Sequence, residues 1–434
     1  MRNFKAWATG AMAITAALLM AACGGGGSSS QASVRLLNAT VTHPNLSLLS
    51  NSSSVASPVP IDTVSNFVGV DSGSPTLQIN DADTGTALAT TSPSLGSSQH
   101  YVVVAYESGG SLRTAVIQED NAAPTTGTAV LRVFDAATDA GAVDVYVTDP
   151  ATDLATVSSP TFSFPASTQA QSGVFLSFAP GTYRVRVVGS GNIADLRLDI
   201  PSIVLASQQL ATVFLTPTSG GTLANGGVLL QQGTYAASRN TSARIRVAAA
   251  VTSGASVSVS AGATAIAAGV ISPAVGAYTT VPSGAALSIS VNGTSVAAPA
   301  GTLTAGSDST LLVYGNAGSA TARLIADDNH VPTVATNYKI RLLNGLTGAV
   351  TPPLTMDINF AVVASNIVAG TASPYAVIGA STSTQIDVFS PTSVNPIYTS
   401  SSSTIPLALP GASVFTLFIL GDVNAPVHLL RKDR

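Results

Sequence analysis

The sequence predicts an all-β protein made of four tandem immunoglobulin-like β-sandwich domains. Three observations lead to this prediction. The 434-residue chain is 46% hydrophobic but only 9% charged, and exposed helices rely on charged pairs at helical spacing. Its 38 Gly and 24 Pro fit short strands joined by frequent turns. A pattern of short alternating strands recurs four times, in units of about 95–115 residues, which is typical of sandwich domains.

The N-terminus predicts export and lipid attachment. Residues 1–22 carry two positive charges, Arg2 and Lys5, and then an apolar stretch, which is the layout of a secretory signal peptide. Cys23 follows LLMAA directly and is the single cysteine of the sequence, so no internal disulfide can use it. The segment resembles a bacterial lipoprotein signal, whose cysteine becomes lipidated, although Met20 stands where that pattern usually has Leu. A plain signal or membrane segment with a chance cysteine is the alternative.

Residues 23–32 are predicted to form a lipidated tether, because GGGGSSS has the composition of a flexible linker. By the same resemblance, Gly24 in place of Asp after the cysteine implies export to the bacterial outer membrane, on either its periplasmic or its surface face. Several acyl chains would make that membrane attachment nearly permanent.

The first repeated motif is a short strand with an arginine at its second position. It reads VRLLN, LRVFD, IRVAA and IRLLN, and the predicted sandwich repeats span residues 33–126, 127–239, 240–334 and 335–434. A second alternating run follows in each copy. Because side chains of a strand alternate between its two faces, Arg132 and Asp144 are predicted to pair across neighbouring strands on the solvent face, and Arg341 and Asp357 likewise. The equivalent arginines of the other copies are Arg35 and Arg246.

The second repeated motif is an aromatic residue that leads into a turn. A period-2 strand, a strand of continuous apolar residues and a last strand follow it in every copy. Most Phe and Tyr side chains are therefore expected in the cores. The four aromatic residues are Phe67, Phe175, Tyr278 and Tyr375.

These motifs resemble a known family. LRVFDAATDAGAVDVYV and FAPGTYRVRVV of the second repeat are similar to the bacterial repeat family called domain of unknown function 4397, and the other three copies match it less closely. The resemblance covers nearly all of residues 33–434. It implies a secreted or envelope protein with tandem domains, and it implies no particular activity.

The sequence contains no recognisable catalytic or cofactor-binding motif. It has neither a G-x-S-x-G nucleophile elbow nor a phosphate-binding loop, so we expect a non-enzymatic protein without a cofactor. The histidines occupy different positions in the repeats and form no metal-binding pattern; they are His43, His100, His330 and His428. A hydrolase would need a Ser–His–Asp constellation near one of them. With 17 basic and 21 acidic residues, nucleic acid is not an expected partner.

Acidic clusters offer weak calcium candidates in a chain for which we expect no metal site. NDADTG resembles the first half of a calcium loop but has Ser92 where the twelfth position needs an acid. EDNAAP and DDNHVP, between repeats, resemble the acidic linkers with which cadherin domains bind calcium, and turn formation is the simpler interpretation. The candidate residues are Asp81, Asp83, Glu119, Asp120, Asp327 and Asp328.

Together these features predict a non-enzymatic, lipid-anchored envelope protein that acts as a spacer or as an adhesion or interaction module. The alternative is a binding module for an envelope glycan or a surface protein. The membrane, through Cys23, is the expected partner, and the sequence leaves the oligomeric state open.

Overall fold

The computed structural model describes residues 30–167, 169–252, 254–400 and 407–434. The predicted signal peptide, Cys23 and all but the end of the tether lie outside the described residues. Strands, turns and three 3-10 helices form the described part of the chain, which contains no α-helix, so the all-β class is confirmed. None of the helices in that part is long and apolar enough to cross a membrane.

Repeat 1 consists of two packed sheets. The larger sheet has the order β4-β1-β8-β9, with β5 also paired to β1, and the smaller has the order β3-β2-β6-β7. The strands are β1 (Gln31–Asn38), β2 (Asn45–Ser50), β3 (Ser53–Pro60), β4 (Thr63–Val64), β5 (Val68–Asp71), β6 (Leu77–Asp81), β7 (Ala87–Thr91), β8 (His100–Ser108) and β9 (Ser111–Gln118).

Repeat 2 has the same two-sheet plan, with orders β13-β10-β17-β18-β19 (β14 also pairs with β10) and β12-β11-β15-β16. Its 3-10 helices are Thr138–Ala140 and Leu154–Thr156. Its strands are β10 (Ala129–Asp135), β11 (Val143–Thr148), β12 (Phe162–Phe164), β13 (Gln171–Ser172), β14 (Leu176–Phe178), β15 (Gly181–Gly189), β16 (Asn192–Leu205), β17 (Leu210–Thr216), β18 (Asn225–Leu230) and β19 (Tyr235–Ser238).

Repeat 3 has sheets of order β23-β20-β27-β28 (β24 also pairs with β20) and β22-β21-β25-β26, and one 3-10 helix, Ala317–Ser319. The strands are β20 (Ser242–Val251), β21 (Ser256–Ala261), β22 (Thr264–Ile271), β23 (Ala274–Val275), β24 (Thr279–Pro282), β25 (Leu287–Val291), β26 (Thr294–Val296), β27 (Asp308–Gly315) and β28 (Thr321–Asp327).

Repeat 4 has sheets of order β32-β29-β38-β39 (β33 also pairs with β29) and β31-β30-β35-β36, and a short β34-β37 ribbon. The strands are β29 (Asn337–Thr347), β30 (Leu354–Ile358), β31 (Ala361–Ile367), β32 (Thr371–Ala372), β33 (Ala376–Gly379), β34 (Ser381–Thr384), β35 (Ile386–Phe389), β36 (Tyr398–Thr399), β37 (Leu407–Leu409), β38 (Ser413–Asp422) and β39 (Val427–Lys432).

The first strand of each repeat lies in the larger sheet and runs parallel to a strand near the end of the repeat. A parallel pair needs a long crossover connection, and the smaller sheet forms part of that crossover. Alternate apolar residues point inward from both sheets, so each repeat has its own core. In repeat 2, for example, Leu131 and Val133 pack opposite Val143 and Val145.

Two further apolar clusters join neighbouring repeats. Outward-facing residues of the larger sheets of repeats 1 and 2 pack together, among them Val102, Val104, Phe134 and Phe214. A second cluster joins repeats 3 and 4 in the same way and includes Leu312, Leu343 and Phe418. The repeats are therefore packed in two pairs, rather than strung together as independent domains.

Candidate functional site

The predicted pairs between arginines and aspartates of the same repeat are wrong. Arg132 lies in the larger sheet of repeat 2 and Asp144 in the smaller one, because the connection between them crosses from one sheet to the other. Asp144 instead accepts hydrogen bonds from Ser163 Oγ at 2.7 Å and the amide of Gly191 at 2.8 Å. Arg341 and Asp357 are separated by the same crossover, on β29 and β30.

The repeated arginines face the neighbouring repeat and not the solvent. Arg35, Arg246 and Arg341 are only 2–3% exposed, and Arg132 is half-buried. Each guanidinium stacks on the aromatic residue of the second repeated motif, so the two motifs meet in space. The distances from the guanidinium carbon to the ring centre are 4.5 Å for Arg35–Phe67, 4.5 Å for Arg132–Phe175, 4.5 Å for Arg246–Tyr278 and 4.7 Å for Arg341–Tyr375.

Between repeats 3 and 4, the arginine of each repeat pairs with an aspartate of the other. Arg341 contacts Asp327, at the end of the last strand of repeat 3. Arg246 contacts Asp433, just beyond the last strand of repeat 4. The two aspartate side chains are fully buried. Burial alone would lower the pKa of Arg341, but Asp327 beside it holds that pKa above its ordinary value.

Hydroxyl groups complete this buried network. Thr310 and Thr416 accept hydrogen bonds from the Nε atoms of Arg246 and Arg341, at 2.9 and 3.2 Å. The Tyr278 hydroxyl donates to Asp327 at 2.6 Å. Buried charges are tolerated when they are paired and hydrogen-bonded, so the network joins repeats 3 and 4 specifically.

Between repeats 1 and 2, one acid faces two arginines. Glu119 occupies the position of Asp327 and binds Arg35 through two hydrogen bonds of 2.9 and 2.7 Å. The corresponding residue of repeat 2 is the uncharged Gln231, just beyond β18, whose backbone amide donates to the carbonyl of Leu210 at 3.0 Å. Arg132 donates to Thr212 at 3.0 Å, and burial lowers its pKa despite the nearby Glu119.

The calcium candidates have protein partners in the structure. Glu119 and Asp327 hold the arginines described above. Asp120 accepts hydrogen bonds from the amide and ring of His100, at 2.5 and 2.9 Å, and Asp81 caps its own turn through the amide of Thr84 at 2.8 Å. Asp83 contacts Asn45, and Asp328 contacts Lys339. No group of three or more His, Cys, Asp or Glu side chains in the described ranges is placed to hold a metal ion.

The linker between repeats 3 and 4 docks on the first pair of repeats. His330 Nε2 lies 2.9 Å from the carbonyl oxygen of Thr218, and its Nδ1 lies 2.6 Å from Asp328. The Val331 amide donates to Asp139 at 3.2 Å, and the Thr333 hydroxyl donates to the Gly109 carbonyl at 2.6 Å. These contacts fix the second pair of repeats against the first.

The other histidines lie in separate surroundings. His43 Nδ1 is 3.7 Å from Asp81, and His428 packs beside the ring of Tyr398, where burial lowers the pKa of His428. Four histidines in four different settings match the scattered positions that they occupy in the sequence.

The family model described as "Domain of unknown function (DUF4397)" matches residues 32–146 and 243–351. No curated protein matches the sequence. A crystal structure of a candidate cell adhesion protein from Bacteroides uniformis ATCC 8492 is 11% identical and covers 47% of this chain and 99% of its own, with a TM-score of 0.24. The Bacillus anthracis TIE protein is 10% identical and covers 90% of this chain and 67% of its own, with a TM-score of 0.14.

Proposed function

This chain belongs to the family described as Domain of unknown function (DUF4397), and on that premise we propose that it is a non-enzymatic protein of the bacterial cell envelope. A lipid on Cys23 anchors it in the outer membrane. The four sandwiches that follow act as a spacer or as an adhesion or interaction module.

The observation that carries this proposal is the pairwise packing of the repeats. Their outer sheet faces are buried against one another, and the linker at His330 and Thr333 fastens one pair to the other. A body held in this way presents one fixed surface beside the anchor, which suits an interaction module better than an extended spacer. The alternative function, binding of an envelope glycan or a surface protein, is favoured by an open cavity between repeats 2, 3 and 4.

Lipid attachment is tested by growing Gram-negative cells that express the full chain with an alkyne fatty acid. The wild type is expected to carry the label and to sediment with the outer membrane, and Cys23→Ser is expected to lose both properties. Gly24→Asp serves as the matched variant, because it keeps the cysteine and is expected to move the labelled protein to the inner membrane. A Cys23→Ser protein that is still labelled and membrane-bound would contradict the anchor.

The adhesion role is tested by adding protease to intact cells. The protein is expected to be digested while a periplasmic marker stays protected. Protection of both proteins on intact cells, followed by digestion of both after lysis, would contradict adhesion to anything outside the cell.

A further inference from the structure

An open cavity of about 890 Å³ lies where repeats 2, 3 and 4 meet. Repeat 2 contributes the loops around Gly141 and Ser190, and repeat 4 contributes its last residues. Ser190, Asn192 and Ala412 are exposed at its rim, so solutes can enter from the solvent. Its volume lies in the range of ordinary ligand sites, about 300–1,000 Å³.

Three arginines line this cavity, and their charges are balanced unequally. Arg197 is bound by Asp195 at 2.7 Å and also donates to the carbonyls of residues 140 and 142. Arg244 uses one nitrogen, Nη1, on Asp308 at 3.0 Å. The guanidinium of Arg434 has no ion pair or hydrogen bond to any residue in the described part of the chain.

The guanidinium of Arg434 lies directly against Gly141. Gly141 has a φ of 72°, and a Cβ atom at this residue would collide with the guanidinium of Arg434. Burial, together with the neighbouring Arg197 and Arg244, lowers the pKa of Arg434 to about 10. The protein thus holds a cation close to two others, where an unpaired charge is unfavourable and a bound anion would relieve the cost.

We propose that this cavity binds a carboxylate-bearing sugar, with the carboxylate on Arg434 and the sugar ring against the polar rim. Asp195 and Asp308 pair with Arg197 and Arg244. Asp139 lies near Arg434 but forms no ion pair with it, so the guanidinium of Arg434 keeps its donors for one carboxylate. The planar guanidinium can donate two parallel hydrogen bonds to the two oxygens of that group. Ser167, Ser190 and Asn192 offer hydroxyl and amide groups to the sugar hydroxyls.

This inference rests on the second proposed function, ligand binding, and not on the lipid anchor. It is tested with the full chain in detergent, by titration calorimetry with glucuronate and, in parallel, with glucose, which has the same ring but no carboxylate. We expect glucuronate to bind and glucose not to bind. Failure of this test leaves the labelling result unaffected, so the two proposals fail separately.

Variants of Arg434 identify the contact. Arg434→Gln is expected to weaken glucuronate binding at least about tenfold, because it removes a charged hydrogen-bonding partner. Arg434→Lys keeps the charge but loses the paired donors and is expected to bind with intermediate affinity. Arg113→Gln is the matched control, because it removes one exposed arginine from β9 and is expected to leave binding unchanged. Melting temperatures confirm that each variant is folded.

Four results would overturn the proposal. They are equal binding of glucose and glucuronate, binding of neither sugar, unchanged glucuronate binding by folded Arg434→Gln, and displacement of glucuronate by an equal concentration of inorganic phosphate. The last result would assign the cavity to phosphate groups instead of carboxylates.

Discussion

Replacement of Asp135 by Asn is expected to remove a pH-dependent weakness of repeat 2. Asp135 ends β10 and is 3% exposed. The equivalent residues of repeats 1 and 4 are Asn38 and Asn344, whose amide nitrogens donate to pairs of backbone carbonyls at 2.8–3.3 Å. An ionised carboxylate cannot donate, and Asp135 accepts one hydrogen bond, from the amide of Ala137 at 3.0 Å.

The magnitude follows from the pKa of Asp135. Burial raises this pKa from 3.8 to about 7, although the Ala137 amide opposes the rise. Between these two pH values the folded state binds a proton at Asp135 that the unfolded state has already released. The contribution of Asp135 to the free energy of unfolding is therefore highest below pH 3.8 and falls as the pH rises to about 7. Over an interval of about three pH units, at about 1.36 kcal/mol each, the free energy of unfolding falls by at most about 4 kcal/mol.

The assay is hydrogen exchange followed by mass spectrometry on peptides of repeat 2, from pH 5 to 8, corrected for the intrinsic exchange rate. This readout is local, whereas unfolding of a multidomain chain is not two-state. Wild-type protection in peptides covering β10 and Ala137 is expected to fall with pH, and Asp135→Asn is expected to stay protected there. The peptide containing Thr218 is left out, because His330 acts on it. Asp71→Asn, which alters an exposed carboxylate in repeat 1, is the control. A parallel loss of protection in wild type and Asp135→Asn would refute this reasoning.

Three other predictions concern the charged contacts between repeats. Arg341→Gln is expected to destabilise repeats 3 and 4 by about 3–5 kcal/mol, because it removes the closer of the two arginines beside the buried Asp327. Arg132→Gln leaves no bound acid behind and is expected to cost about 1 kcal/mol. Hydrogen exchange of peptides from each pair of repeats compares the two losses, and equal losses would contradict the role of the pair. Burial lowers the pKa of His330, but the hydrogen bond to Asp328 and the charge of Asp139 outweigh burial, so the pKa lies above 6.5 overall. The His330 contact therefore contributes stability below pH 6.5, and this contribution is lost as the pH rises through the raised pKa. Hydrogen exchange of the amides around residue 218 should increase as the pH rises from 6.5 through the pKa of His330 in the wild type, and not in His330→Gln. Millimolar calcium is expected to leave the melting temperature and the tryptic cleavage pattern unchanged, since the acidic linkers already bind cationic side chains, and a rise in melting temperature would restore the calcium hypothesis.

The sequence predicted the fold of each repeat well because that fold depends on local alternation. Leu131 and Val133 face inward while Arg132 faces outward, as the period-2 pattern requires. The prediction of a cross-strand partner in the same repeat failed because it treated two consecutive strands as neighbours in one sheet. A sandwich places them in different sheets, and neither spacing nor composition reveals that crossover.

The contacts between repeats left a signal in the sequence that alternation alone does not explain. β8 contains the run YVVVAY, which is apolar at both odd and even positions, and all six of these residues are buried. A strand of this kind has to be covered on both faces, which requires a partner beyond its own sandwich. The acids that meet the arginines also occupy one equivalent position in their repeats, as Glu119, Asp327 and Asp433. Arg246 and Asp433 are 187 residues apart along the chain, so spacing within one repeat does not reveal that they pair.

The smallest complete unit of this architecture is therefore two repeats. A single repeat 3 would expose the outer face of its larger sheet, with Leu312 at its centre. It would also leave Arg246 without Asp433, and Asp327 without Arg341. In the second pair, repeat 4 supplies both the apolar cover and the opposite charges. In the first pair, Glu119 of repeat 1 holds Arg35 of the same repeat, and repeat 2 supplies the apolar cover and a backbone carbonyl that accepts from Arg35. One repeated motif can thus serve both the inside of each domain and the joint between two domains, which accounts for an arginine in an otherwise apolar strand.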